Sequence, residues 1–141
     1  MTTTRPSGLD CPPTRWELQF PAKADQLAEV RHRTQEWLAY CPLGEYQAYD
    51  VLLAVGEACA NAVEHGHQGD GGTIRLRCAR EATRLRITVA DHGRWRNPDP
   101  DPGPAQVRGR GMAIIRTLIP EVEVTIASGG TTVEMKVPLP R

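Results

Sequence analysis

The alternation of hydrophobic and polar positions divides the chain into elements before any chemistry is considered. Trp16-Glu17-Leu18-Gln19-Phe20 alternates with period two and stops at Pro21, the pattern of a strand with one buried face. From Ala24 to Tyr40, Leu27, Val30, Arg31, Thr34, Trp37 and Leu38 recur at three- and four-residue steps, with Glu29, Arg33 and Glu36 elsewhere around the turn; this predicts an amphipathic helix closed near Pro42. A second helix is predicted from about Glu45 to His65, its apolar face formed by Leu52, Val55, Cys59, Ala62 and Val63. After a glycine-rich loop from Gly66 to Gly72, the runs 73–78 and 84–89 alternate again and read as an antiparallel hairpin with Arg and Thr on its solvent face. The runs 122–126 and 132–137 form a second hairpin, turning at Ser128-Gly129-Gly130.

Asp91 to Arg108 fits neither period. Pro98, Pro100, Pro102 and Pro104 remove backbone donors and hold the chain extended, so the segment is a long loop, of a length more typical of lids and binding loops than of plain connectors. Gly109-Arg110-Gly111 then opens a short helix, Met112 to Leu118, stopped at Pro120. Residues 1–14, rich in Thr and Pro and without periodicity, read as a disordered tail, leaving 15–141 as one domain. Five strands and three helices in this order predict an α+β fold: a two-layer α/β sandwich with helices on one face of a mixed, mostly antiparallel sheet.

Composition narrows the function. With 141 residues the chain is long enough for one self-sufficient core. Lys+Arg 17 balances Asp+Glu 17, which argues against a nucleic-acid binder, whose domain normally carries a basic excess. No run approaches the ~18 apolar residues of a membrane helix, and the amino terminus has no apolar h-region. A soluble, cytoplasmic protein is therefore expected. Cys11, Cys41, Cys59 and Cys78 form no C-x-x-C pair, which removes zinc-ribbon and redox-motif readings; Cys59 and Cys78 fall in apolar periodic segments and are expected as buried free thiols.

Three constellations carry chemistry. On the second helix Asp50, Glu57, Asn61 and Glu64 share a narrow arc opposite the apolar stripe. A solvated helix face is the simplest account, but Asn is a mediocre interior helix residue, and Ala54, Gly56, Ala58 and Ala60 leave room for something to lie against the helix. Gly56 alone costs about 1 kcal/mol relative to Ala. Glu57 and Asn61, one turn apart, suit phosphate chemistry on magnesium: an amide oxygen ligates a hard cation without adding negative charge, and a carboxylate can orient or deprotonate a hydroxyl. The second constellation is Asp91-His92-Gly93 at a strand end, either a plain turn or a carboxylate able to accept from an exocyclic base amine, with a glycine that lets backbone approach a flat ring. The third is Gly109-Arg110-Gly111-Met112 entering a helix, either structural or an anion site for phosphate. His65 and His67 read as polar loop residues, since no third ligand stands at a convincing spacing.

In this order, over roughly residues 16–138, the motifs resemble the GHKL ATP-binding superfamily, and within it the small anti-sigma-factor serine/threonine kinases. The stretch from Glu57 to His65 is similar to the family's N box, Asp91-His92-Gly93 to its adenine-contacting box, and Gly109-Arg110-Gly111-Met112 to its second glycine box. The resemblance implies a Bergerat-type sandwich binding ATP and Mg2+ beneath a lid at 92–108. Asn61 would ligate magnesium, Glu57 would be the catalytic base, and Asp91 would hold the adenine amine. Gly93, Gly109, Arg110, Gly111 and Met112 would line base and phosphates. The implied partners are a STAS-type anti-sigma-factor antagonist, phosphorylated on Ser or Thr, and a sigma factor; members of the family commonly dimerise, so a homodimer is among the expectations. Trp95 stands where the family usually has a further glycine, and the lid is proline-dense. These departures motivate an alternative of a different class, a nucleotide-gated binding module that sequesters its partner with little catalysis.

Overall fold

The computed structural model describes residues 14–66, 72–91, 112–127 and 130–140. The expected tail lies outside them except for Thr14, whose carbonyl accepts from the Arg80 amide at 2.7 Å. In chain order the elements are β1 (Arg15–Pro21), a 3-10 turn (Ala24–Gln26), α1 (Leu27–Leu38), α2 (Glu45–Gly66), β2 (Thr73–Arg80), β3 (Arg84–Asp91), α3 (112–118), β4 (Glu121–Ala127) and β5 (Gly130–Pro138). The helix predicted from Ala24 thus begins as a 3-10 turn. Lys23 at its N-cap is extended and offers no capping side chain, and a tight first turn is one way to satisfy the free amides.

The strands form one five-stranded sheet ordered β1-β2-β3-β5-β4. Every described ladder is antiparallel, so the mixed sheet resolves to an antiparallel one. The reason lies in the segment after β3. Arg84 at the start of β3 pairs with Pro138, and Glu121 at the start of β4 pairs with Lys136, so β3 and β4 run in the same direction. They would be parallel neighbours had β5 not inserted between them, turning one parallel ladder into two antiparallel ones.

Period-two alternation puts Phe20, Ile74, Leu76, Cys78, Leu85, Ile87, Val89, Val133, Met135 and Val137 on the inner face, all buried. The helices cover this face. α2 buries Val51, Ala54, Val55, Ala58, Cys59 and Ala62, a stripe rotated from the predicted one; Leu52 and Val63 are only half-buried. Of the small residues read from sequence as leaving room for a ligand, Ala54 is fully buried, Gly56 and Ala60 border the open groove on the other side, and the buried Ala58 lines a small cleft at one end of the sheet. α1 contributes Val30, Thr34, Trp37 and Leu38, and the buried Thr34 hydroxyl is satisfied by donating to the Val30 carbonyl at 2.8 Å.

Cys41, Cys59 and Cys78 are free and buried. Burial pushes the thiol of Cys41 up to about 11 and that of Cys59 to about 12, and moves Cys78 in the same direction. Such thiols stay protonated at neutral pH and pack as small hydrophobes, as their periodic setting predicts. Among the described residues no helix is long and apolar enough to cross a membrane.

Among the described residues the outer face of the sheet carries no helix and is polar. Glu17 meets Arg75 at 3.1 Å and Arg77 at 3.7 Å, Glu81 meets Arg84 at 3.1 Å and Arg86 at 2.9 Å, and Arg86 also reaches Glu134 at 2.9 Å. Hydrogen bonds from Arg86 and then Arg84 hold the Glu81 carboxyl below its ordinary range.

Candidate functional site

The inner face is apolar by construction, so polar groups on it stand out. Among the described residues the buried polar or charged side chains are Thr34, Asp91 and Thr131. Thr34 is explained by its own helix. The other two face each other across the β3–β5 ladder, where Asp91 pairs with Thr131. Asp91, the last residue of β3, is 4 % exposed, and Thr131, the second of β5, is 2 % exposed. The Thr131 hydroxyl has no hydrogen-bond partner among the described residues. A buried hydroxyl without a partner costs about 1–3 kcal/mol, and in a folded protein it points to a ligand or water that completes it. Gly130, immediately before it, has φ 143°, a backbone conformation that side chains rarely adopt, which fixes where the strand carrying Thr131 begins.

Asp91 and Thr131 line a small cleft of about 40 Å³ at this end of the sheet. Val89, Val124 and Val133 complete its floor, α2 contributes Ala58, Asn61 and Ala62 from above, and Met112 of α3 closes one side. The structure therefore brings Asn61, Asp91 and Met112 together from three elements well separated in sequence. Asn61, half-buried, makes no side-chain hydrogen bond among the described residues, so its amide is available to a ligand in the cleft. Glu57, one turn earlier on α2, is half-buried, also makes no hydrogen bond or ion pair among the described residues, and lines the adjoining groove between α1 and α2 rather than the cleft itself. Gly93, Gly109, Arg110 and Gly111 lie outside the described residues, as does the 92–108 loop.

Thr131 is the residue that sequence reasoning missed. The signal was present: with Val133, Met135 and Val137 pointing inward, a strand extended by two residues puts a threonine on the apolar face. Starting the predicted strand at Thr132 left it in the turn.

The chemistry available here is that of a planar, hydrogen-bonding ligand. A buried carboxylate accepts, a hydroxyl can both donate and accept, valines provide flat apolar contact, and an unengaged amide stands at the rim. A sequence profile for the histidine kinase-like ATPase domain matches residues 20–137, which spans all of these elements. The chain belongs to this family. Its ATPase-domain relatives include serine-protein kinase RsbW of Bacillus licheniformis, 30% identical over 129 residues, covering 82% of this chain and 80% of that protein. RsbW of Bacillus pumilus is 31% identical over 134 residues, covering 84% and 82%. Among solved structures, that of the RsbU and RsbW domains of a Mycobacterium tuberculosis protein superposes with a TM-score of 0.70 at 25% identity over 89% of this chain. The chain spans only 32% of that longer structure. A blue-light-activated histidine kinase of Erythrobacter litoralis gives a TM-score of 0.59 at 30% identity, covering 69% of this chain and 32% of that one. The open five-stranded antiparallel sheet with helices on one face is thus the GHKL-like α+β fold, and serine-protein kinase is the activity named for the relatives at about 30% identity.

Proposed function

We propose that this ATPase-family domain is an ATP-dependent serine/threonine protein kinase acting as an anti-sigma factor, which phosphorylates a STAS-type antagonist and sequesters a sigma factor. The observation that carries the reading is the convergence of Asn61, Asp91 and the orphaned Thr131 hydroxyl on one cleft, with Glu57 one helical turn from Asn61. The described residues fit ATP and magnesium. Asp91 and Thr131 offer the acceptor and donor that an aminopurine edge requires, and no cluster of three or more acidic, His or Cys ligands stands among the described residues. A magnesium site here would rest on phosphate oxygens and water, with the neutral amide of Asn61 as the protein ligand, the economy of protein carboxylates usual for this ion.

ATP, when bound, supplies the transferable phosphoryl group, with magnesium offsetting its charge. The chain's own residues do the rest. Asp91 accepts from the base amine and Thr131 completes its hydrogen bonding at the same edge. Met112 and the valines bury the ring. Gly93, Gly109, Arg110 and Gly111 are assigned to base and phosphate contacts on the resemblance of their motifs. Glu57, which makes no hydrogen bond or ion pair among the described residues, would take the proton of an acceptor hydroxyl, a contribution of about 10²–10⁴-fold.

The test is label transfer from radiolabelled ATP to recombinant STAS-type antagonists, with ATP affinity measured in parallel. Glu57→Gln is expected to lose about 10²–10⁴-fold in transfer while still binding ATP. Asn61→Ala is expected to lose both transfer and magnesium-dependent nucleotide affinity. ATP binding by the wild type without transfer to any antagonist would establish the gated-module alternative instead. Absence of ATP binding at millimolar nucleotide would remove both readings.

A further inference from the structure

α2 presents a second open feature on the side away from the sheet. Between α1 and α2 runs a groove of about 380 Å³ whose walls include Leu27, Tyr49 and Leu53 and whose floor includes Gly56. Its size falls within the ~300–1,000 Å³ usual for ligand clefts. Two large apolar side chains are left in solvent there, Tyr49 at 61% and Leu53 at 42% exposure, one helical turn apart. A Cβ built on Gly56 meets nothing within 4 Å, so the groove is open down to the helix backbone. The glycine that weakens the helix by about 1 kcal/mol therefore has a spatial consequence: it deepens the groove.

Two charged residues line the groove, Arg31 from α1 and Glu57 from α2. Glu57 lines it without a hydrogen bond or ion pair among the described residues. On α1, Arg33 pairs with Glu29 and His32 with Glu36, whereas Arg31, which lines the groove and is exposed, makes no ion pair among the described residues. On α2, Glu57 lines the groove and Asn61, one turn on, lines the cleft.

We propose that this groove docks the protein substrate. Its occupant is a segment that lays apolar side chains across Tyr49 and Leu53 above Gly56, turns a carboxylate toward Arg31, and delivers its serine or threonine hydroxyl to Glu57. This rests on the kinase reading for the identity of the occupant. The surface itself rests on the open glycine, the exposed apolar pair and the two charges that make no ion pair among the described residues. Charge complementarity selects the occupant: two opposite charges, without ion pairs among the described residues, in one groove with an exposed apolar pair fit an amphipathic protein segment.

The experiment uses the full chain and a recombinant STAS-type antagonist as probe. Antagonist affinity, ATP affinity and label transfer are measured separately for wild type, Gly56→Trp and Arg31→Glu. Gly56→Trp fills open space and Arg31→Glu changes an exposed residue, and unchanged ATP affinity certifies that both fold. Each is expected to weaken antagonist binding at least tenfold, and a carboxylate-to-lysine change in the antagonist is expected to restore binding to Arg31→Glu. A photo-crosslinking residue at Leu53 is expected to join the antagonist, whereas one at Thr125 on the outer face of the sheet is not. Wild-type antagonist affinity in both variants overturns the proposal. So does crosslinking from position 53 only to a second copy of this chain or within the chain. If the antagonist binds through the groove but no label is transferred, the docking surface stands and the kinase reading falls. If transfer proceeds with affinities unmoved by either variant, the kinase reading stands and the groove proposal falls.

Discussion

The two faces of the one sheet handle polar groups in opposite ways. On the outer face every strand offers charged side chains, and several are paired: Glu17 with Arg75 and Arg77, Glu81 and Glu134 with Arg86. On the inner face two of the three buried polar or charged residues of the described chain, Asp91 and Thr131, sit together at one end, and the hydroxyl of Thr131 has no partner. Charge is cheap where water reaches it and where ion pairs can form, so its presence on the outer face carries little information. A buried hydroxyl without a partner among the described residues costs free energy, and its persistence beside a buried carboxylate points to a ligand.

The comparison can be broken most severely from the apolar part of the inner face. Leu76, fully buried, sits in mid-strand on β2. Leu76→Ala is expected to cost about 2–5 kcal/mol, read as a lower midpoint in urea unfolding. A loss below about 1 kcal/mol would show that the inner face is not the core. A smaller effect of opposite sign is expected at Thr131. Thr131→Val removes the orphaned hydroxyl at nearly constant shape, so it should leave the nucleotide-free protein as stable as wild type or up to about 1 kcal/mol more so, while ATP affinity falls. If stability drops by more than about 1 kcal/mol, the hydroxyl has a protein partner and the inference from its isolation is lost.

The smallest effect belongs to the outer face. The Glu81 carboxyl is held below its ordinary value by hydrogen bonds from Arg86 and then Arg84. A carboxylate with a depressed folded pKa contributes stability that is present above its unfolded value and disappears as pH falls through the folded one. Glu81→Gln should therefore be slightly less stable than wild type at neutral pH, with the gap closing below about pH 4.5 and shrinking in high salt. Equal stability of the two proteins at every pH would mean that these ion pairs contribute nothing measurable.

How much was readable in advance follows the same division. The period-two runs gave all five strands and their inner faces, because a strand that buries one face must alternate. The Glu57, Asn61 and Asp91 motifs were legible through their order along the chain, since a solvated helix face and a plain turn account for the same residues one by one. The rotation of α2 was not legible. Alanine counts as weakly apolar in any periodic pattern, and only the sheet beneath shows that Ala54 and Ala58 are contact residues while Gly56 opens outward. The glycine box at 109–111 and the 92–108 loop lie outside the described residues, so their place in the site stands on sequence alone.

By itself the sequence determined the elements, the α+β layering and the kinds of residue able to handle nucleotide and magnesium, since all of these follow from local periodicity and side-chain chemistry. The tertiary structure decided which of them meet. Inserting β5 between β3 and β4 set Thr131 opposite Asp91 and made the sheet antiparallel throughout. Packing α1 against α2 made a groove beside Glu57 from residues that have no common signature along the chain. Such juxtapositions depend on contacts between distant segments, and no periodicity within a segment encodes them.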